Sequence, residues 1–154
     1  MLAFEEARAR ILAHVEPVGQ ERIPVADALG RVLRETLTAD VPLPAFDHSA
    51  MDGYALATKS LVSGPPYSLP VTGESRTGGA VCPLASGTAQ RIFTGARLPD
   101  GADSVLMQED TERDGDVLRF QKHPSAGDNV RRAGEDLAVG GVALKGPREA
   151  GKEL

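Results

Sequence analysis

Ser104-Val105-Leu106-Met107-Gln108-Glu109-Asp110-Thr111-Glu112-Arg113-Asp114-Gly115-Asp116-Val117-Leu118-Arg119-Phe120-Gln121-Lys122 holds two strand-sized runs either side of a turn. Leu118 and Phe120 alternate with Arg119 and Gln121, the period-two pattern of a strand with one buried and one wet face. Asp114-Gly115 tolerates the positive φ of a tight turn, so the pattern predicts a hairpin joining residues 104–109 to 117–122. Outward from it, further strand-sized pieces cover 53–57, 67–72, 88–94 and 139–144, each bounded by Gly or Pro. Pro99-Asp100-Gly101 is a turn with a mechanism: Pro presets φ, Asp accepts a backbone bond, and Gly takes the left-handed position. Six short strands with this punctuation predict a mainly β fold, a small barrel or sandwich.

The N-terminal third has a different texture. Phe4, Ala7, Ile11, Leu12 and Val15 recur near helical spacing, with Glu5, Glu6, Arg8 and Arg10 opposite, predicting an amphipathic helix over 2–14 stopped by Pro17 and Gly19. A shorter helix is expected over 25–29, closed by Gly30, then a strand over 31–38. Pro42 and Pro44 stiffen a connector, and the change at Phe46 marks a candidate boundary. After Leu144 the tail is polar and too short for a further element with a core.

Composition narrows the function. In 154 residues there are seventeen Gly and eleven Pro, above the usual combined share of about 12%, which favours turns and strands over a helical bundle. A net charge of −5 argues against a phosphate-backbone binder, and four Phe, two Tyr and no Trp make a base-stacking surface improbable, so no nucleic-acid partner is expected. Any anionic ligand must be held by local groups. Cys82 is the only cysteine, which excludes an intrachain disulfide, and it reads as a small buried hydrophobe. His14, His48 and His123 have no zinc spacing. With acids at the N-terminus and no long apolar run, the chain is expected to be cytoplasmic, without a membrane partner.

Four stretches are candidates for chemistry. Residues 44–55 bring Asp47, His48, Ser49, Asp52 and Gly53 together before an apolar strand, equally readable as turn chemistry. In 92–103, Thr94-Gly95 at a strand end could present a hydroxyl and open amides to an oxyanion, or be an ordinary turn. Gln108-Glu109-Asp110 with Glu112, Asp114 and Asp116 lacks calcium-loop spacing and reads as a solvated hairpin edge. In 129–136, Arg131 and Arg132 could fork onto phosphate oxygens while Glu135 and Asp136 offer hard ligands to Mg²⁺; a surface ion-pair loop would look the same.

Phe46-Asp47-His48-Ser49-Ala50-Met51-Asp52-Gly53-Tyr54-Ala55, Thr94-Gly95-Ala96, Leu98-Pro99-Asp100-Gly101-Ala102-Asp103, Gln108-Glu109 and Arg131-Arg132-Ala133-Gly134-Glu135-Asp136 together resemble, in order, the motifs of the bacterial MoeA family. These are molybdopterin molybdenumtransferases, related to the E domain of gephyrin. The resemblance implies an N-terminal helix (1–22), an elongated β-rich domain I (23–45 and 141–154) and an inserted small β-barrel domain II (46–140). Overall, that is a mainly β (α+β) chain. It implies an enzyme of molybdenum cofactor biosynthesis that inserts molybdate into adenylylated molybdopterin with Mg²⁺ assistance and releases AMP. Most of the pterin pocket would lie in a domain III that this chain does not match.

Carried over by residue, the resemblance places catalytic roles on Asp52, Thr94 and Asp136, cofactor binding on Ser49 and Arg131, and Mg²⁺ on Asp52 and Asp136. It also implies a homodimer for the full-length enzyme, with molybdopterin adenylyltransferase as pathway partner. This chain alone is expected to be inactive. The rival readings are a non-catalytic binding or dimerisation module with the same fold, and a Mg²⁺-dependent phosphohydrolase, which lacks a base or nucleophile beside the two carboxylates.

Overall fold

A computed structural model describes residues 2–16 and 18–146. The expected stop at Pro17 and the tail from 147 lie outside them. Among the described residues the fold is mainly β with one α-helix, as the strand punctuation predicts. Thr38–Ala143 form one compact unit, and the flanking segments form a second.

In the flanking unit, α1 spans Phe4–Leu12, shorter than the periodicity predicts, and none of its residues is buried. Phe4 is 77% exposed and Ile11 66%. The next expected helix is a single 3₁₀ turn, Val25–Asp27, followed by Gly30 with φ +79°. Only the end of the expected strand over 31–38 forms, as β1, Leu37–Thr38, and a further short strand, β10, spans Val142–Leu144.

The larger unit contains β2 (His48–Ser49), β3 (Gly53–Leu56), β4 (Tyr67–Ser75), β5 (Ala89–Ile92), β6 (Ser104–Met107), β7 (Thr111–Asp114), β8 (Val117–Phe120) and β9 (Val130–Arg131). Six of them make one sheet in the order β6-β3-β5-β4-β8-β7, with β4 and β5 parallel and the other pairs antiparallel. The long strand β4 changes partner midway. Tyr67–Pro70 pair with β8, the rest with β5, and the register shifts between Val71 and Glu74. Such irregularities bend a sheet. The terminal strands also force curvature. Laid flat, β6 and β7 would stand about 24 Å apart, yet the four peptide steps from Met107 to Thr111 reach about 14 Å. The sheet therefore curls.

Alternation along the strands sorts the core into two clusters. Tyr54, Leu56, Tyr67, Leu69, Ala89, Leu106, Leu118 and Phe120 fill one, with the Tyr67 and Phe120 rings stacked at 5.1 Å. Ala55, Ile92, Ala96, Leu98 and Val105 fill the other. Because β3 lies between β5 and β6 and supplies both clusters, all four of its residues are buried.

Two expectations are corrected here. The hairpin around Gly115 joins β7 to β8, not 104–109 to 117–122, and β6 pairs with β3 instead. β7 carries Glu112, Arg113 and Asp114 on an exposed edge, so it has no apolar alternation to betray it. Gly115, φ +60°, does occupy the turn, between paired Asp114 and Val117. Cys82 is exposed rather than buried. It lies in the 76–88 loop between β4 and β5, where the carbonyls of Cys82 and Pro83 face Gln90.

Gly53 has no alternative. A Cβ there would stand 2.0 Å from the Leu106 carbonyl oxygen, in backbone that cannot swing aside. Gly53→Ala is expected to destabilise the chain by about 3 kcal/mol, lowering the melting temperature by roughly 10 °C. Gly64→Ala, where the added methyl meets nothing within 4 Å, should stay within about 0.5 kcal/mol. Equal melting of the two variants would show that the Gly53 approach is not tight.

Candidate functional site

The motif segments converge, and backbone hydrogen bonds bring them together. Ser49 N–H donates to the Ala96 carbonyl and Gly95 N–H to the Ser49 carbonyl, at 3.0 and 2.8 Å. On the other side of Ser49, β2 pairs with β9, setting His48 opposite Arg131 and Ser49 opposite Val130. Ala50 N–H reaches the Asn129 carbonyl and Gln108 N–H the Asp52 carbonyl. Thus 47–52 is the hub onto which the 94–97, 108–109 and 129–136 segments dock.

Asp52 lies at one end of this hub. Its Oδ1 accepts both the backbone N–H and the hydroxyl of Thr94, each at 2.8 Å. These two bonds, with the nearby Arg91 charge, hold its carboxyl below the usual carboxylate range. Arg91 is the residue the sequence reading missed. It donates to the Gly53 carbonyl at 3.1 Å and to Gln108 Oε1 at 2.6 Å, and its guanidinium lies 5.2 Å from the Tyr54 ring centroid and 4.8 Å from that of Phe93. Its one signal was an arginine within a strand, between Gln90 and Ile92, where period two places it on the same face as Ala89.

At the other end Arg131 donates from Nε to Glu135 at 3.0 Å and from a terminal nitrogen to Asp136 Oδ1 at 2.5 Å. Glu135 also accepts the Arg132 N–H at 2.9 Å. The Arg132 side chain turns away to Asp47 Oδ2 at 2.6 Å, while Asp47 Oδ1 accepts the Ala133 N–H at 2.8 Å. Asp47 thus ties the 129–136 loop to the hub. The Ala133 bond, together with Arg132, holds its carboxyl below the ordinary value against a modest cost of burial.

The two alternatives left open by the sequence are resolved in part. Thr94-Gly95 offers no open amides: Thr94 N–H is taken by Asp52, Gly95 N–H by Ser49, and Ala96 N–H by the Phe93 carbonyl. Ser49 is fully buried, with its hydroxyl bonded to Met51 at 2.5 Å. The 129–136 segment is an ion-pair loop in this state. The acids of β7 and of the turn that follows it form a solvated edge, with Asp114 and Asp116 loosely paired to Arg119 and Arg113.

The donors that Mg²⁺ would meet here are two carboxylates, Asp52 and Asp136. Among the described residues no group of three or more His, Cys, Asp or Glu side chains is placed to hold a metal ion. Asp52 and Asp136 each engage the protein through Oδ1, leaving Oδ2 as a hard oxygen on a partly exposed side chain. That suits a cation which keeps several waters and is shared between one or two carboxylates and a phosphorylated ligand.

Sequence and fold both match a known family. Residues 2–151 match the model of the MoeA N-terminal region (domain I and II), and the chain belongs to that family. A protein of Haemophilus influenzae named molybdopterin molybdenumtransferase is 35% identical over 148 residues, covering 94% of this chain and 36% of its own length. The Bacillus subtilis protein of the same name is 36% identical over 158 residues, covering 96% and 36%. The crystal structure of a molybdopterin biosynthesis MoeA protein from Pyrococcus horikoshii superimposes with a TM-score of 0.77 at 30% identity, covering 94% of this chain and 38% of that one. The chain spans little more than a third of the length of these two relatives. No helix among the described residues is long and apolar enough to cross a membrane.

Asp47 yields a signed pH prediction. Its folded pKa is depressed, so its contribution to stability is fully present above the unfolded value of about 3.9 and is lost as pH falls through the folded value. Urea unfolding from pH 7 to 2.5 should therefore show a steeper acid loss in the native chain than in Asp47→Asn. Parallel curves below pH 4 would remove Asp47 as the tie between hub and loop.

Proposed function

We propose that this chain is the N-terminal part of a molybdenum cofactor biosynthesis enzyme that inserts molybdate into adenylylated molybdopterin and releases AMP. What supports this reading is the convergence of Asp52, Thr94, Arg131 and Asp136 about one hub, in a chain whose relatives carry the name molybdopterin molybdenumtransferase. In this reading 23–45 with 141–154 are domain I, 46–140 the inserted domain II, and 1–22 the N-terminal helix.

The chemistry follows from charge. A carboxylate repels molybdate and phosphate alike, so Asp52 and Asp136 serve as ligands to Mg²⁺ or its water shell. Bound there, Mg²⁺ would neutralise phosphoryl charge and polarise the bond to the leaving AMP. Arg131 neutralises a phosphoryl oxygen and Thr94 donates a hydrogen bond to one. Ser49 acts by shaping the turn that presents Asp52. Arg91 keeps that turn in place from the Gly53 side.

In this account the enzyme works as a cytoplasmic homodimer, with molybdopterin adenylyltransferase supplying its substrate. The 154-residue chain by itself releases no AMP, since most of the pterin pocket belongs to a part of the full-length enzyme outside it. One observation favours the second reading, a non-catalytic binding or dimerisation module: α1 buries none of its residues and leaves Phe4, Ile11 and Leu12 exposed. Burial of such a stripe on a second copy is worth several kcal/mol at about 25 cal/mol per Å².

Within a full-length enzyme carrying this sequence, Asp52→Asn and Asp136→Asn should each reduce molybdate-dependent AMP release by roughly 100-fold. The double variant should lose less than the product of the single losses. Near-normal turnover in either single variant returns that residue to the scaffold. Molybdate-dependent AMP release by the isolated chain would refute the claim that it is inactive alone.

A further inference from the structure

The four residues assigned to ligands are, in this structure, assigned to each other. Both donors of Thr94 point at Asp52 Oδ1. Arg131 gives one nitrogen to Asp136 and another to Glu135. Each group suited to an anion is thus paired with a group suited to a cation. The side chains are partly exposed, 37% for Arg131 and 52% for Asp136, so the ion pair is weak enough to break.

We propose that this face takes up a phosphoryl anion and Mg²⁺ by exchanging these partners, so that each ligand strengthens binding of the other. The proposal rests on the functional reading above and adds a coupling between its two ligands. An anion arriving alone at Arg131 displaces Asp136 and leaves that carboxylate unpaired beside new negative charge. A divalent cation arriving alone draws Asp136 from Arg131 and leaves that terminal nitrogen without its acceptor. When both arrive, the group released by one ligand is the partner of the other. The same exchange frees the Thr94 hydroxyl when a cation draws on Asp52. Coupling of this kind is reciprocal, so Mg²⁺ raises anion affinity by the factor with which the anion raises Mg²⁺ affinity.

Glu135 sharpens the geometry. It holds Arg131 Nε and the Arg132 N–H together, so the guanidinium stays anchored when Asp136 leaves. The exchange is then a change of partner at one terminal nitrogen, with no rearrangement of the loop. Asp47, which bonds Arg132 and Ala133, fixes the loop from the other side.

The test uses the 154-residue chain, with inorganic phosphate and MgCl₂ as probes and backbone amide NMR shifts of Thr94 and Val130 to Ala133 as readout. It needs no turnover. Allowing for the magnesium phosphate complex in solution, saturating Mg²⁺ should tighten phosphate binding by about tenfold. Asp136→Asn should tighten phosphate binding without Mg²⁺ by about fivefold and abolish the response to Mg²⁺. That gain should vanish in an Arg131→Gln background, because the freed guanidinium is its source. An equal gain in that background would mean simple repulsion by Asp136 and would overturn the exchange. So would phosphate affinity indifferent to Mg²⁺ in the native chain, or no phosphate-dependent shift at millimolar concentration with Mg²⁺ present. None of these failures touches the functional reading, which stands or falls on AMP release by the full-length enzyme.

Discussion

At Gly53 the chain has room for a hydrogen and nothing larger, because the Leu106 carbonyl stands where a side chain would begin. That approach lets β3 pair with β5 on one side and β6 on the other from its first residue. The preceding residue, Asp52, is consequently delivered to the end of β5, where Thr94 follows two residues beyond the last paired position. Arg91 seals the arrangement by bonding the Gly53 carbonyl and the Gln108 side chain while covering Tyr54 and Phe93. The carboxylate is thus placed by packing in the sheet, and its own hydrogen bonds to Thr94 then orient it.

Electrostatics on this face are local. The chain carries net charge −5, yet the hub is edged by Arg91, Arg131 and Arg132, each tied to a defined acceptor. Such pairing holds the three guanidinium groups in fixed positions. It also keeps their net field small, so that a lone phosphate or a lone divalent cation meets a nearly neutral surface.

Much of the fold was legible because short strands need punctuation. The pieces at 53–57, 67–72 and 88–94 overlap β3, β4 and β5. Pro99-Asp100-Gly101 turns as expected, with Gly101 at φ +95° and the Ala102 N–H on the Pro99 carbonyl. The partner of β8 was not legible, since Thr-Glu-Arg-Asp on a solvated edge has the composition of a loop and forms a strand only because β8 lies beside it. At the candidate site, the family resemblance pointed to Ser49, Asp52, Thr94, Arg131 and Asp136, and the residue types alone left turn and ion-pair readings open; neither told how these side chains pair. The Asp52 to Thr94 bond joins residues 42 apart, and the Arg132 to Asp47 bond joins residues 85 apart. No local pattern encodes such contacts. The commitment of Ser49 to its own turn, and of Arg91 to the Gly53 carbonyl, became visible only with the sheet in place.

Carboxylates of the 47–52 hub clasp the Thr94 and Ala133 segments by direct hydrogen bonds, from Thr94 N–H to Asp52 and from Ala133 N–H to Asp47. A long-range HNCO experiment on the labelled chain reads those bonds as scalar couplings across the hydrogen bond. The account predicts cross-peaks from Thr94 N to the Asp52 carboxyl carbon and from Ala133 N to that of Asp47, with both amides protected from exchange. Absence of both couplings, with Thr94 and Ala133 amides exchanging as freely as an open loop, would contradict it.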